Sequence, residues 1–293
     1  MERNWWIYII ILLLISIVPA QAQTGVVSNN RFLQKVNPTI DRALVDGGSS
    51  LNHPEAQRLA RQMVDLGIWE SCNLWVHPGL MKTFTSGSDV LISNAYDLSG
   101  DERDMGVFPP VANTEPYYED LGGISVIRMR NPAFNVNKCL FVNSSVIPIN
   151  DDYSIILWGN GGSGSMFDVL GTSFWSITLV RNFYYFVTGS TLRQIAITDS
   201  VANIWQMYSI TRSGNNYRVR LFNENGNYLY TLTQSGSIRG SVSTFIGARK
   251  TDNQNTISNV FTGYIGEVRT FTTALTDDQI DAIFNETKGY YGL

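Results

Sequence analysis

The sequence predicts an all-β protein whose antiparallel strands stack as a sandwich or barrel. Three observations carry this. From about residue 122 onward, β-prone runs recur at 123–130, 138–143, 153–158, 173–180, 183–188, 192–198, 204–212, 216–223, 227–233, 242–248 and 261–271. Their spacing of about 10 residues is the rhythm of packed antiparallel strands. Turn chemistry separates them, as at Ser213, Gly214 and Asn215 and again at Asn225 and Gly226. Composition agrees: charged residues make up 16% and aromatics 12%, a balance suited to an extracytoplasmic β protein.

The chain opens with a short polar start at Met1–Asn4, followed by an apolar run from Trp5 to Val18. Ala20 and Ala22 then form a small-residue cleavage pattern, so residues 1–22 read as a secretory signal peptide. The competing interpretation is a retained anchor, for which the run is short against the roughly 20 residues of a span. Residues 23–52 hold Asn29, Asn30, Asn37, Pro38 and a Gly47–Ser50 cluster, with no sustained period; they read as a linker or arm.

Residues 53–67 predict a helix. Pro54 suits its first turn, Ala56, Leu59, Ala60, Met63 and Leu66 form one stripe, and Gly67 fits the C-terminal cap. Ile68, Trp69, Leu74, Trp75 and Val76 follow as its apolar anchor. Residues 77–120 are rich in Gly, Pro, Ser and Asp and read as loops with brief strands. Tyr217, Val219 and Leu221 alternate with Arg218 and Arg220, the pattern of a half-solvated strand. At the C-terminus, Thr276 and Gln279 form a capping box, and Ile280, Ile283 and Phe284 share one helical face.

The closing segment resembles that of LamG-like, concanavalin A-like jelly-roll domains. Phe261, Gly263, Ile265, Glu267, Val268, Arg269, Phe271, Ala274, Leu275, Thr276, Asp277, Gln279 and Ile280 carry the likeness. Gly67-Ile68-Trp69, Tyr96 to Gly100, Trp205 and Phe245 to Arg249 are similar to earlier steps of the same family, so the resemblance spans roughly 54–293. It implies a two-sheet antiparallel β-sandwich, a concanavalin A-like jelly roll, with a short N-terminal and a short C-terminal helix. That domain occupies 53–293, with a helical and loop lead-in at 53–120 and the main sandwich at 121–293.

Fold does not fix function. A net charge of −4 and no Lys/Arg-rich run give nucleic-acid binding no electrostatic support. The paired carboxylates of laminarinase-like relatives, Glu-x-Asp-x-x-Glu, do not occur. His53 and His77 have no nucleophile motif beside them, and Gly-x-Ser-x-Gly is absent. The glycine-rich run from Gly159 to Ser165 lacks a lysine and a following helix, so it reads as a flexible loop between strands. Glu267 and Arg269, two apart on one strand, read as a structural ion pair.

Candidate ligand-binding aromatics are Tyr117, Tyr118, Tyr184 and Tyr185, with Tyr117 and Tyr118 in a loop; Trp158 and Trp175 read as core. Some related lectin domains hold calcium at the sandwich rim, and Asp151, Asp152, Asp252, Asn253 and Asn255 have suitable oxygens. Cys72 and Cys139 are either one disulfide or two buried thiols. The expectation is a secreted or cell-surface, non-catalytic module that binds glycans or surface polymers, with no membrane association once the signal is cleaved. The alternatives are a structural or host-contact surface protein without a sugar site, and a laminarinase-like glycosidase.

Overall fold

The computed structural model describes residues 34, 36–45, 53–108, 115–129, 139–148, 151–171, 175–188, 190–238, 241–251 and 256–293. The segment read as a signal lies outside them, as do Asp252, Asn253 and Asn255. Among the described residues, no helix is long and apolar enough to cross a membrane.

The chain is mostly antiparallel β-structure with few, short helices. Helix α1 covers 36–45 and α2 covers His53–Asp65. Then come β1 (Cys72–Ser86), β2 (Asp89–Asp97), β3 (Met105–Phe108), β4 (Tyr117–Asp120), β5 (Ser125–Met129) and β6 (Cys139–Val142). The middle holds β7 (Tyr153–Gly161), β8 (Ser165–Gly171), β9 (Trp175–Val180), β10 (Phe183–Thr188), β11 (Thr191–Ala196) and β12 (Gln206–Ser213). The last third holds β13 (Asn216–Asn223), β14 (Gly226–Thr233), β15 (Ser241–Ile246), β16 (Arg249–Thr251), β17 (Thr256–Ser258), β18 (Gly263–Phe271) and α3 (Asp277–Thr287). All eleven spans expected to be strands contain one.

Sixteen strands join in one hydrogen-bonded sheet, ordered β11-β10-β9-β8-β15-β6-β3-β2-β4-β5-β18-β7-β12-β13-β14, with β1 pairing both β18 and β2. The β1, β2, β4, β5 and β18 pairings therefore close a five-stranded ring. The two ends of the path face each other: Phe186 of β10 stacks on Tyr217 of β13 with ring centroids 3.9 Å apart. The hydroxyls of Tyr153 on β7 and Tyr184 on β10 share a hydrogen bond across the same interior.

Two apolar clusters lie on opposite faces of shared strands. Leu74, Ile155, Leu157, Ile210, Val219, Leu221 and Val268 enter the interior. Trp75, Ile156, Trp158, Met207, Phe222 and Phe271, their neighbours along the chain or across a strand pair, enter a second cluster beneath the helices. With both faces covered, β7 is buried from Tyr153 to Gly159 and lacks alternation. Arg218 and Arg220, expected to face water, instead hold α3: Arg218 bonds Asp277 at 2.6 and 2.8 Å, and Arg220 bonds Asp281 at 2.6 Å. The expected capping box of α3 is present, with Gln279 N–H donating to Thr276 Oγ1 at 3.3 Å and Thr276 N–H to Gln279 Oε1 at 2.9 Å.

Four expectations need correction. Residues 36–45, inside the supposed linker, are helical, with Val36, Ile40 and Ala43 buried in the helix-side cluster. Residues 77–120 are dominated by β1 and β2 rather than loops; Pro78 and Gly79 sit at a bulge where the pairing jumps from Val76↔Asp97 to Met81↔Ala95. Tyr117 and Tyr118 lie on β4, not in a loop. Cys72 and Cys139 are free buried thiols in separate apolar clusters, so the disulfide alternative falls.

Candidate functional site

A groove of about 670 Å³ lies over the outward face of β9 and β10. Period-two alternation builds its floor. Tyr184 and Phe186 point into the interior cluster, so Phe183 and Tyr185 take the outer face, half-buried, with ring centroids 5.5 Å apart. Thr178 and Val180 extend that floor on β9. The Thr178 hydroxyl donates to Asp168 on β8, which anchors the floor to the next strand.

The β9–β10 turn supplies Arg181 and Asn182. Asn182 Oδ1 accepts from Arg181 Nε at 2.7 Å and from Ser200 Oγ at 2.8 Å, which fixes the turn's side chains. The opposite wall is the glycine run. Gly162 N–H donates to Thr262 O at 2.9 Å, Ser163 N–H to Thr262 Oγ1 at 3.0 Å, and Ser165 N–H to Asn259 O at 2.7 Å. Gly164 has φ +97°, and a Cβ there would fall 2.1 Å from Val260 O. Glycine is therefore required by close backbone approach, and the run is a held wall rather than the flexible loop expected from composition. Arg249 and Asn259, at the outer ends of the β16–β17 hairpin, complete the rim.

Among the described residues that line the groove there is no Asp or Glu. Its described lining offers aromatic faces, amides, hydroxyls and two guanidiniums, the groups that bind polyols, without the carboxyl pair that glycoside hydrolysis needs.

A second, enclosed cavity of about 40 Å³ lies between β1, β18 and α3, lined by Arg58, His77, Glu267, Glu286, Tyr290 and Tyr291. Its Glu267 forms the expected pair with Arg269 behind the lining, at 2.7 Å and buried. Trp75 Nε1–H also donates to Glu267, and the Arg269 guanidinium lies 4.5 Å from the Trp75 ring centroid. Tyr291 Oη accepts the Glu267 backbone N–H at 2.8 Å. Burial pushes the Glu286 carboxyl up to about 7, against the pull of Arg269 and with a further push from Glu267. The space suits roughly one or two waters, not a sugar ring, so this carboxylate pair is a structural cluster.

The candidate residues scatter. Tyr185 lines the groove. Tyr184 is fully buried beneath it, and its hydroxyl is pushed upward in pKa by burial. Tyr117 pairs across to Leu91 and Arg128, while Tyr118 Oη bonds Ser125 Oγ at 2.9 Å; neither reaches the groove. Asp152 Oδ1 accepts Gly214 N–H at 2.6 Å and Asp151 O accepts from Arg212 at 3.3 Å, so both brace the β12–β13 turn. No group of three or more His, Cys, Asp or Glu among the described residues is placed to hold a metal. Trp158 is core, as expected: it stacks on Tyr291 at 4.3 Å and donates to Thr287 Oγ1 at 3.0 Å. The side chain of Trp175 lies outside the described set. Sequence reasoning missed Phe183, Arg181, Asn182, Arg249 and Asn259. The signal available for Phe183 was its i, i+2 relation to Tyr185.

No protein-family model matches the chain, and no curated protein matches it. Similar solved structures include domain 4 of an extracellular GH43 arabinanase from Geobacillus stearothermophilus, in complex with arabinotriose: 16% identity, 64% of this chain, 91% of that one, TM-score 0.46. The binding domain of a botulinum neurotoxin of serotype D/C is similar at 17% identity, over 74% of this chain and 52% of that one, with a TM-score of 0.44. A sialidase from Trypanosoma rangeli, in complex with sialic acid, is similar at 12% identity over 76% of this chain and 34% of that one, with a TM-score of 0.46. The chain thus spans about half the length of the toxin domain and a third of the sialidase.

Proposed function

We propose that this chain is an exported, non-catalytic carbohydrate-binding module of the LamG-like, concanavalin A-like type, and that the β9–β10 groove is its ligand site. In this proposal the single folded sheet forms the two layers of the jelly roll. The observation that carries the function is the pair of half-buried rings, Phe183 and Tyr185, on an outward sheet face where an all-scaffold strand would place polar side chains. Sugar rings present an apolar face of C–H groups to such rings, and hydroxyls to nearby polar groups; Asn182, Asn259 and Ser163 line the same groove. Among the described lining residues there is no carboxylate, which favours binding over hydrolysis.

A printed array of plant, bacterial and animal glycans, probed with the full chain and with Tyr185→Ala, tests this. Retention of a defined glycan set, lost in the variant at unchanged thermal stability, supports the proposal. An array with no bound glycan returns the chain to the alternative of a structural or host-contact surface protein.

A further inference from the structure

We infer that the groove selects acidic glycans, polysaccharides that carry carboxylate or sulfate groups; this rests on the groove being the glycan site proposed above. Its described lining holds two cations, Arg181 and Arg249, and no anion, on a chain whose net charge is −4. Cations therefore outnumber acids among the described lining residues, on a chain of the opposite average sign, with the one nearby carboxylate, Asp168, held beneath the floor by Thr178. The two arginines come from separate elements, the β9–β10 turn and the β16–β17 hairpin. Arg181 makes its one hydrogen bond among the described residues through Nε, to Asn182. That bond leaves its two terminal nitrogens, which form the fork that matches a carboxylate or sulfate, for a ligand. Arg249 is also engaged within the protein, so it contributes field and a shared donor rather than a dedicated fork.

The floor and the cations divide the recognition. Phe183 and Tyr185 would stack against the apolar face of a sugar ring, a contact that neutral and acidic sugars make equally. The guanidiniums would engage the exocyclic acid group and set the preference. A groove of about 670 Å³ accommodates a short stretch of chain rather than a single small anion, so free inorganic sulfate would compete poorly.

The test uses the full chain in affinity electrophoresis and calorimetry with matched pairs: polygalacturonate, alginate and hyaluronan against their carboxyl-reduced neutral forms, and dextran sulfate against dextran. The expected result is binding to at least one acidic polymer, at least about 10-fold weaker to its neutral partner. Arg181→Gln should narrow that gap about 10-fold without changing thermal stability, and Arg249→Gln should narrow it less. Carboxylated and sulfated arms separate the two sources of acid. Equal binding to acidic and neutral partners, abolished by Tyr185→Ala, overturns the acidic preference and leaves the glycan site standing. Binding to acidic polymers that survives both arginine substitutions and Tyr185→Ala overturns the location. Failure to bind any polymer, acidic or neutral, overturns this inference together with the proposed function.

Discussion

Replacing Glu286 with Gln should change how stability depends on pH, and the structure sets the size. The Glu286 side chain is 3% exposed, and neither carboxyl oxygen has a hydrogen-bond partner. Around it stand Arg58, His77, Glu267, Tyr290 and Tyr291 in the cavity, with Arg269 beyond. Arg58 Nη1 lies 3.7 Å away, but its side chain is 61% exposed and so offsets little of the burial. Raising the carboxyl from 4.5 to about 7 makes the ionised form roughly 3 kcal/mol less favourable in the fold than in the unfolded chain. Because the folded value lies above the unfolded one, the fold binds the proton more tightly. The contribution is complete below about pH 4.5 and is lost as pH rises through about 7. Glu286→Gln keeps the shape and removes the charge. Thermal melts from pH 4.5 to 9 should show the two proteins within about 1 °C at the acid end and the variant higher by roughly 6 °C at pH 9. A constant gap across that range, or a wild type more stable at pH 9, would refute the reasoning and mean that Glu286 is ionised and well paired.

Three further outcomes follow from the packing. Arg269→Met strands the Glu267 carboxylate with only Trp75 and should cost about 3–5 kcal/mol by urea titration, most of it recovered when Glu267→Gln is added. Gly164→Ala forces a Cβ against the Val260 carbonyl at positive φ and should cost at least about 2 kcal/mol, with groove ligand affinity falling too. Tyr291→Ala removes the stack on Trp158 and the acceptor of the Glu267 N–H; calorimetric melts should show a loss of about 3 kcal/mol or more, with a red shift of tryptophan emission.

How much was legible depended on how local the cause was. The α3 capping box and the Glu267–Arg269 pair were readable because each is set by residues two or three apart. The strand rhythm after residue 122 was readable for the same reason: turns and alternation are near-neighbour properties. β1 was not, because Pro78 and Gly79 interrupt a strand that continues only through its pairing with β2 and β18. Helix α1 was hidden by its polar flanks; Val36, Ile40 and Ala43 give only one short stripe, which is buried against the helix-side cluster by long-range packing. At the site, Tyr184 and Tyr185 were both named, yet a one-residue step decides which faces the core. Arg181, Arg249 and Asn259 meet only because β8, β9 and the β16–β17 hairpin converge, a fact of topology rather than of any motif.

Affinity electrophoresis of three proteins, the wild type, Tyr185→Ala and Tyr118→Ala, through gels containing the glycan panel addresses the groove most directly. Retardation of the wild type and of Tyr118→Ala, with Tyr185→Ala migrating as in an empty gel, is the predicted result. Equal retardation of all three, or of none, would contradict a glycan site on the outer face of β9 and β10.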